Sequence, residues 1–297
     1  MARERLKGQR ALVTGASSGI GEELARRLAA EGANLVITAR RKERLEGLAN
    51  ELRQAHGVDV RVIASDLEDP AAAQRLFDET EGAGLAVDVL VNNAGFGAYL
   101  DFVEVDWARY QGILQVNVIA LTELSRLFLP KMVERRHGHL MNVASMGAYM
   151  PCPSFAVYAA TKAYVRNLTE AIDYELKGTG VRAIVINPGP TQTEFMDHAN
   201  QKLKSGSDLA LMSAKRCANI AVDKMLAGRR TVITGFLNAF SMFLLRFVPR
   251  CWMPFLAKSF MDMGVESVKP AALPAGPPPA RLPGPAAEEP PAADPPA

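Results

Sequence analysis

The sequence predicts an α/β fold, a doubly wound parallel sheet of about seven strands with helices on both faces. Short runs that are apolar on both faces alternate with longer segments of helical periodicity, as in parallel sheets covered by helices. The predicted strands are Ala11–Thr14, Asn34–Ala39, Val58–Ala64, Val87–Val91, His139–Val143, Val181–Ile186 and Thr231–Thr234. The helical segments include Gly19–Glu31, Arg41–Gln54, Trp107–Arg135 and Tyr158–Lys177. Right-handed β-α-β crossovers would join these elements into one sheet.

We expect residues 1–268 to form a single domain that ends in an apolar helical extension over about residues 236–268. The apolar run Thr231–Val248 is interrupted by Gly235 and Asn238, which argues against a membrane span of roughly 20 clean apolar residues. A buried strand followed by an amphipathic helix fits better, and peripheral membrane contact stays open. Residues 269–297 hold 11 prolines and 9 alanines, so neither helix nor sheet can run through them. We predict a disordered tail there.

Composition excludes several classes of function. The formal net charge of the 297 residues is +2, and no clustered cations mark a nucleic-acid partner. The three cysteines, Cys152, Cys217 and Cys251, are far apart and form no CxxC pair, which argues against a disulfide framework and against any bound metal such as zinc. Together with a charged start that does not read as a signal peptide, they favour a reducing, cytoplasmic location.

A glycine-rich turn, Thr14–Gly21, joins the first predicted strand to the first helix. Without side chains at the glycines, backbone amides and the positive end of the helix can approach a pyrophosphate. This position in a strand–turn–helix unit predicts a dinucleotide site, and the alternative is a tight turn without a ligand. The residues expected to contact the cofactor here are Gly15, Ser17, Ser18, Gly19, Ile20 and Gly21.

The end of the second strand indicates which nucleotide is bound. A carboxylate there would hold the adenosine ribose and repel a 2′-phosphate, but Ala39 is followed by Arg40 and Arg41. Arg40, with Arg41 as a helper, can pair with that phosphate, so NADP(H) is preferred over NAD(H). The alternative is that both arginines are a solvated start to the next helix. After the third strand, Asp66 and Leu67 are predicted at the adenine, although Asp66 could instead cap the segment after it.

Tyr158 and Lys162 are four residues apart in a predicted helix, so their side chains share one face. A free tyrosine, with a pKa of about 10, is a poor base at neutral pH. A fixed cation nearby favours the phenolate and lowers that pKa toward useful acid/base strength. The pair alone is a weak indication, because chance surface pairs are common.

Taken together, the motifs resemble those of the short-chain dehydrogenase/reductase family. They are Thr14–Gly21, Asn92-Asn93-Ala94-Gly95, Asn117, Ser145, Tyr158-x-x-x-Lys162 and Pro188-Gly189-Pro190-Thr191. Their order and spacing are similar to the family's over about residues 7 to 235, and the strand ends are similar to those of NADP-preferring bacterial reductases of broad substrate class. The resemblance implies a Rossmann-like fold and an enzyme that interconverts a carbonyl and an alcohol by hydride transfer.

The resemblance also implies roles for individual residues. Tyr158 would be the acid/base, Ser145 would bond the substrate oxygen, and Lys162 would lower the tyrosine pKa and hold the nicotinamide ribose. Asn117 would support a water that links Lys162 to solvent. The alternatives are that Ser145 only caps a loop and that Asn117 is only a polar residue that bends its helix. The other implied cofactor contacts are Asn93, Ala94 and Gly95 at the adenosine ribose, and Pro188, Gly189, Thr191 and Thr193 at the nicotinamide.

Apolar side chains near these motifs predict an apolar small-molecule carbonyl or alcohol as substrate. The alternative is that these side chains only pack the substrate lid onto the domain. They are Met146, Tyr149, Met150, Phe155, Phe195, Met196, Leu203, Leu209 and Met212. Two other functions stay open: an NADP(H)-binding sensor or scaffold without significant turnover, and a membrane-peripheral lipid, steroid or 3-oxoacyl reductase. The resemblance further implies a homo-oligomer formed through the helices that carry Asn117 and Tyr158.

Overall fold

The computed structural model describes residues 4–199, 201–203 and 211–267. Over those ranges the strands are β1 (Arg10–Thr14), β2 (Asn34–Ala39), β3 (Val60–Ala64), β4 (Val89–Asn92), β5 (Gly138–Val143), β6 (Val181–Asn187), β7 (Thr191–Gln192), β8 (Gln201–Leu203), β9 (Met212–Ser213), β10 (Thr231–Ile233) and β11 (Val265–Ser267). Seven of these described strands form one sheet in the order β3-β2-β1-β4-β5-β6-β10, with every pairing parallel. The strand order reverses between β1 and β4, which opens a crevice at the carboxyl ends of the strands. The predicted doubly wound sheet is confirmed.

The strands form because both of their faces are buried. In β1 and β4, Leu12 and Leu90 belong to the core on one face of the sheet, while Val13 and Val91 belong to the core on the other. All four side chains are fully buried. Successive side chains of a strand point to opposite faces, so a run that is apolar at every position is stable only between two layers of helices.

Helices supply both layers. They are α1 (Gly19–Ala30), α2 (Lys42–His56), α3 (Ala72–Asp78), α4 (Trp107–Leu114), α5 (Leu121–Glu134), α6 (Ala156–Glu175), α7 (Phe195–His198), α8 (Ala214–Leu226), α9 (Phe236–Leu244) and α10 (Met253–Gly264). Helices α1, α2 and α8 pack on one face of the sheet, and α3, α5 and the end of α6 pack on the other.

The predicted helix Trp107–Arg135 differs from the structure in its middle. Between α4 and α5, Gln115–Ala120 form a π-helix that contains Asn117, and such insertions often occur at functional sites. By length and hydropathy, Trp107–Glu134 is apolar enough to cross a membrane, but half of its most apolar window is buried inside the fold. The stretch is therefore best interpreted as a core helix.

The C-terminal predictions concern residues that the structure describes only in part. Helices α9 and α10 lie within the expected apolar extension. The expected disordered tail, residues 269–297, lies outside the described residues. The single-domain boundary at residue 268 stays a prediction.

A buried carboxylate joins the N-terminal segment to two helices. Glu31 at the end of α1 is 2% exposed, and its Oε1 lies 2.5 Å from Nη2 of Arg5 and 2.6 Å from Nη2 of Arg27. Both arginines also contact Asp223 on α8, at 3.1 and 3.0 Å. Burial works to raise the pKa of Glu31, but hydrogen bonds from Arg5 and Arg27 outweigh it and lower the pKa to about 2.

Replacing Glu31→Gln is expected to lower the free energy of unfolding by about 2 kcal/mol at neutral pH, because both arginines lose their buried partner while staying partly hydrated. A lowered pKa stabilises the fold above the unfolded-state value, and this contribution is lost as the pH falls toward about 2. In urea denaturation at decreasing pH, the unfolding free energies of the wild-type protein and of Glu31→Gln should therefore converge.

The matched control is Glu51→Gln, which removes a half-exposed ion pair with Arg26. This variant should lose less than about 1 kcal/mol. An equal loss in the two variants would contradict the special role of Glu31.

Candidate active site

A cleft of about 440 Å³ opens where the strand order reverses. The structure brings most of the predicted site residues to its wall: Gly15, Ser17, Ser18, Gly19, Ile20, Arg40, Arg41, Asp66, Leu67, Asn93, Ala94, Gly95, Ser145, Tyr158, Lys162, Pro188, Gly189, Thr191 and Thr193. Gly21 and Asn117 do not line it and instead support the wall. Residues far apart in sequence meet here because the segments that carry them leave the same ends of the parallel strands.

The glycine-rich turn fits a pyrophosphate. A Cβ on Gly21 would collide with the carbonyl oxygen of Gly15 and with Nδ2 of Asn93, so the first turn of α1 approaches the strand ends as only glycine allows. Ser18 is the N-cap of α1, and its side chain makes no capping hydrogen bond. No capping side chain therefore occupies the amides of the first turn, and Ser18, Gly19 and Ile20 line the cleft, so this helix end suits an anion.

Arg41, rather than Arg40, contacts the glycine-rich turn. Its Nη2 donates to Oγ of Ser18 at 2.9 Å and to Oγ of Ser17 at 3.2 Å, and its Nη1 donates to Glu194 at 2.8 Å. Arg40 is more exposed and donates to Glu68 at 3.2 Å. The sequence indicated a phosphate-binding arginine at this strand end, and the structure places Arg41 in the position that reaches the turn.

Glu194 is a site residue that sequence reasoning missed. Its two carboxylate oxygens accept from Arg41 and from Arg44, the latter at 2.5 Å. Hydrogen bonds from Arg44 and Arg41 lower the pKa of Glu194 to about 2. The pairing ties the segment after β7 across the cleft to the start of α2.

Asp66 makes a local contact as well as lining the cleft. Its Oδ1 accepts from the backbone amide of Glu68 at 3.0 Å. The capping role that the sequence left open is therefore present, and it leaves the second carboxylate oxygen for a ligand. The adenine role stays a prediction.

The predicted catalytic side chains converge at the start of α6. Lys162 is buried, and its Nζ donates to the carbonyl of Val143 at 2.9 Å and lies 5.7 Å from the ring centre of Tyr158. Oγ of Ser145 accepts from the amide of Gly147 at 3.1 Å and also hydrogen-bonds Tyr158. Ser145 thus caps a short loop and faces the tyrosine at the same time.

The electrostatics differ from the expectation that Lys162 lowers the tyrosine pKa. Burial raises the pKa of Tyr158 to about 12, and the hydrogen bond with Ser145 only partly opposes this. Burial likewise lowers the pKa of Lys162 to about 8. Desolvation disfavours both charged forms and is the larger effect in this cleft. The phenol of Tyr158 therefore holds its proton at neutral pH.

Asn117 supports the turn behind these groups. Its Oδ1 accepts from the amide of Phe96 at 3.1 Å, and its Nδ2 donates to the carbonyl of Phe96 at 3.0 Å and to Oγ1 of Thr161 at 3.1 Å. These bonds link the π-helix, the turn after β4 and α6. A role in holding water beside Lys162 stays a prediction.

Apolar side chains surround Tyr158. The ring of Phe155 stacks on it at 4.3 Å between centres, and that of Phe195 lies at 5.3 Å. Of the other predicted substrate residues, Met146, Met150 and Met196 line the cleft, and Tyr149 and Met212 do not. The side chain of Leu203 and all of Leu209 lie outside the described part of the chain.

Helix α10 adds a wall that sequence reasoning missed, through Ala257, Phe260 and Met261. The apolar periodicity of this segment was a visible signal, but nothing in the sequence says that it folds back to the cleft. Among the described residues, no group of three or more His, Cys, Asp or Glu side chains is placed to hold a metal ion.

Comparison with known proteins gives a consistent result. The family model described as short chain dehydrogenase matches residues 9–204. The curated relative named sulfoacetaldehyde reductase 2, from Chromohalobacter salexigens, is 37% identical over 205 residues, which are 68% of this chain and 79% of the relative.

Two solved structures add the cofactors. A short-chain dehydrogenase from Sphingobium yanoikuyae in complex with NADPH is 28% identical with a TM-score of 0.71, covering 81% of this chain and 96% of that one. A short-chain dehydrogenase/reductase from Burkholderia phymatum in complex with NAD is 25% identical with a TM-score of 0.74, covering 91% and 99%.

The close approach at Gly21 can be tested by adding one methyl group. Gly21→Ala is expected to weaken cofactor binding by at least about tenfold and to destabilise the protein, because the turn must move away from Gly15 and Asn93. Fluorescence titration with NADPH and thermal unfolding measure the two effects.

Gly47→Ala is the matched control, since Gly47 lies in α2 and a Cβ there meets nothing within 4 Å. It should leave binding unchanged and stabilise the protein by up to about 1 kcal/mol. If Gly21→Ala behaves like Gly47→Ala, the turn does not approach the strand ends as described.

Proposed function

Because this chain belongs to the short-chain dehydrogenase family, we propose that it is an NADPH-dependent reductase of apolar carbonyl compounds. Membership makes it an oxidoreductase that acts on the carbonyl/alcohol pair with a nicotinamide cofactor. The preference for NADPH and for an apolar substrate is supported by the contrast between the two ends of one cleft. Arg41 contacts the glycine-rich turn at one end, and Tyr158 lies among apolar rings at the other.

The cofactor preference rests on the corner between β2 and the glycine-rich turn. Solved relatives bind NADPH or NAD, so the fold alone does not choose between them. Here β2 ends at Ala39 without a carboxylate, and Arg41 already donates to Ser17 and Ser18. A guanidinium together with two hydroxyls is a suitable donor set for a 2′-phosphate.

In the proposed reaction, reduced nicotinamide bound in the cleft supplies the hydride. The phenol of Tyr158 donates its proton to the carbonyl oxygen, and the hydroxyl of Ser145 donates a hydrogen bond to the same oxygen. Lys162 is held by Val143 one helical turn from the phenol, where its ammonium group would stabilise the phenolate that remains after the proton is donated. Since the pKa of Tyr158 is raised to about 12, the phenol carries its proton at neutral pH and can act as the acid in reduction.

An apolar substrate is supported by the surroundings of the phenol. The side chains around it can pack on hydrocarbon, but they offer no hydrogen bonds to replace the water that an anion would lose. They are Phe155, Phe195, Met146 and Met150. The relative named sulfoacetaldehyde reductase 2 is named for a small sulfonated substrate. We therefore propose that this chain prefers a larger, uncharged carbonyl compound.

We also propose that the protein is cytoplasmic and forms a homo-oligomer. Its three cysteines are free thiols, as a reducing compartment would keep them. Ile119 and Tyr164, on the helical stretches that carry Asn117 and Tyr158, are exposed apolar side chains suited to a contact between subunits.

The test of the reaction is consumption of NADPH, followed by absorbance, with uncharged ketones and aldehydes and with sulfoacetaldehyde. Tyr158→Phe is expected to lower kcat by about 100-fold or more while NADPH binding is retained, because only the transferable proton is removed. Tyr174→Phe, on the exposed side of the same helix, is the control and should leave kcat unchanged.

Tight NADPH binding without reduction of any carbonyl would instead support a sensor or scaffold. Preferential reduction of sulfoacetaldehyde would refute the apolar substrate class.

Arg41→Ala is expected to weaken NADPH binding by about 10- to 100-fold and to leave NADH binding nearly unchanged, because only NADPH carries the 2′-phosphate. Arg44→Ala removes a neighbouring cation that also contacts Glu194, and it serves as the control with little effect on either cofactor. Dissociation constants from fluorescence titration decide the outcome. Equal losses for NADPH and NADH in Arg41→Ala would show that Arg41 merely shapes the turn.

A further inference from the structure

Helix α9 and the short helical turn Leu245–Phe247 after it present a row of aromatic side chains to solvent. Phe236, Phe240, Phe243 and Phe247 follow one another at intervals of about one helical turn, and each is at least half exposed. The parallel rings of Phe236 and Phe240 lie 6.4 Å apart, and the rings of Phe243 and Phe247 lie 5.5 Å apart. Met242, by contrast, is buried. The outer face of the helix is therefore more apolar than a water-facing surface of a soluble protein normally is.

The aromatic row continues into α10. Trp252 and Phe255 are exposed by 65% and 74%, and Phe260 is more than half exposed. Ten of the sixteen exposed large apolar side chains described lie within residues 236–260. This concentration indicates a surface for interaction, which we call the α9–α10 surface, rather than isolated exposed residues.

The α9–α10 surface is anchored to the active site. Nδ2 of Asn238 donates to the carbonyl of Thr234 at 2.8 Å, and the same amide packs so closely on Gly189 that a Cβ there would collide with it. On α10, Ala257 and Met261 line the cleft, while Phe260 both lines the cleft and faces solvent. One edge of the surface is thus a wall of the cleft.

The charge pattern identifies the partner. Residues 236–262 contain three cations, Arg246, Arg250 and Lys258, and one acid, Asp262. Asp262 pairs with Lys258 at 2.8 Å, so the net positive charge of this segment is carried by Arg246 and Arg250. Arg246 and Arg250 are exposed next to the aromatic side chains. Phenylalanine and tryptophan that can enter the acyl boundary, flanked by cations that can meet phosphate headgroups, are the combination by which helices bind the surface of an anionic bilayer.

We propose that the α9–α10 surface docks on an anionic phospholipid bilayer and brings the wall of the cleft formed by α10 against it. The substrate would then be a carbonyl compound dissolved in the bilayer, which enters past Phe260 without crossing water. This second statement rests on the proposed reductase function, whereas the docking itself does not.

Other occupants fit less well. A second copy related by two-fold symmetry would gather four cations, Arg246 and Arg250 of both copies, into one interface. The chain's own segment 269–297 offers Leu273 and Leu282 as its only large apolar residues, too few to cover ten exposed side chains.

The two tryptophans of the chain provide a direct test. Trp252 lies on the α9–α10 surface and Trp107 on α4, with matched exposures of 65% and 62%. Trp107→Phe leaves Trp252 as the only reporter, and Trp252→Phe leaves Trp107. Both proteins are mixed with phosphatidylcholine vesicles containing phosphatidylglycerol and brominated acyl chains. We expect strong quenching of Trp252 and little quenching of Trp107.

Equal quenching of the two reporters, or none of either, would overturn the proposal. So would a change of Trp252 emission with protein concentration in the absence of lipid, accompanied by a doubling of mass in sedimentation, because a second copy would then cover the surface. A shift of Trp252 emission on removal of residues 269–297 would assign the surface to the tail instead.

Charge removal tests the preference for anionic lipid. Arg246→Gln with Arg250→Gln should weaken partitioning into these vesicles by about 30-fold, roughly fivefold for each charge. Arg61→Gln with Arg75→Gln removes two cations near the opposite edge of the sheet and should have little effect. If both double variants lose partitioning to a similar extent, the effect arises from the net charge of the protein and the proposal is overturned.

These measurements need neither cofactor nor turnover, so the docking surface and the proposed reductase can fail independently. If docking holds, a long-chain ketone should be reduced faster when it is presented in anionic vesicles, and Arg246→Gln with Arg250→Gln should abolish that advantage. The same variant should reduce a short, water-soluble ketone at the wild-type rate.

Discussion

The active site depends on the joint between the ends of β1 and β4. Oγ1 of Thr14 accepts from the amides of Asn93 and Ala94, both at 3.0 Å, and Nδ2 of Asn93 donates back to the carbonyls of Thr14 and Gly15 at 3.0 and 3.3 Å. These bonds satisfy backbone groups at the point where the strand order reverses. Gly21 permits α1 to pack directly on this joint. A looser joint would separate the phosphate-binding turn from the strand ends that carry the rest of the site.

A second set of buried hydrogen bonds positions the catalytic helix. Nδ2 of Asn92 donates to Oδ1 of Asn142 at 3.0 Å, and Nδ2 of Asn142 donates to Oγ1 of Thr169 at 2.9 Å. These bonds run from β4 through β5 to α6. Lys162 adds a second link between α6 and β5 through its hydrogen bond to Val143. Buried hydrogen bonds are directional and have no water to replace them, so such a network favours one position of α6 relative to the sheet. The phenol of Tyr158 therefore has a fixed height above the strand ends.

The sequence predicted the sheet well, because short runs that are apolar on both faces have few other stable environments; β2 has the predicted bounds, Asn34–Ala39. It could not predict the π-helix around Asn117, since those residues also suit an α-helix. The pairing of Arg41 with Glu194 joins positions 153 apart and has no local signature. The raised pKa of Tyr158 depends on burial, whereas the sequence displayed only the nearby Lys162.

The two ends of the cleft are built by different kinds of interaction, and the two kinds tolerate substitution differently. The cofactor end is held by directional hydrogen bonds between strand ends within residues 9–204, the range that the family model matches. Exchanging any one of those groups leaves a buried partner unsatisfied. The substrate end is closed in part by α10, beyond that range, through apolar contacts of Ala257 and Met261. Apolar packing is non-directional and accepts other side chains of similar volume, so this wall can change while the chemistry at Tyr158 is kept. We therefore expect α10 to add to the substrate preference set by Phe155 and Phe195, at the edge of the cleft where the α9–α10 surface begins.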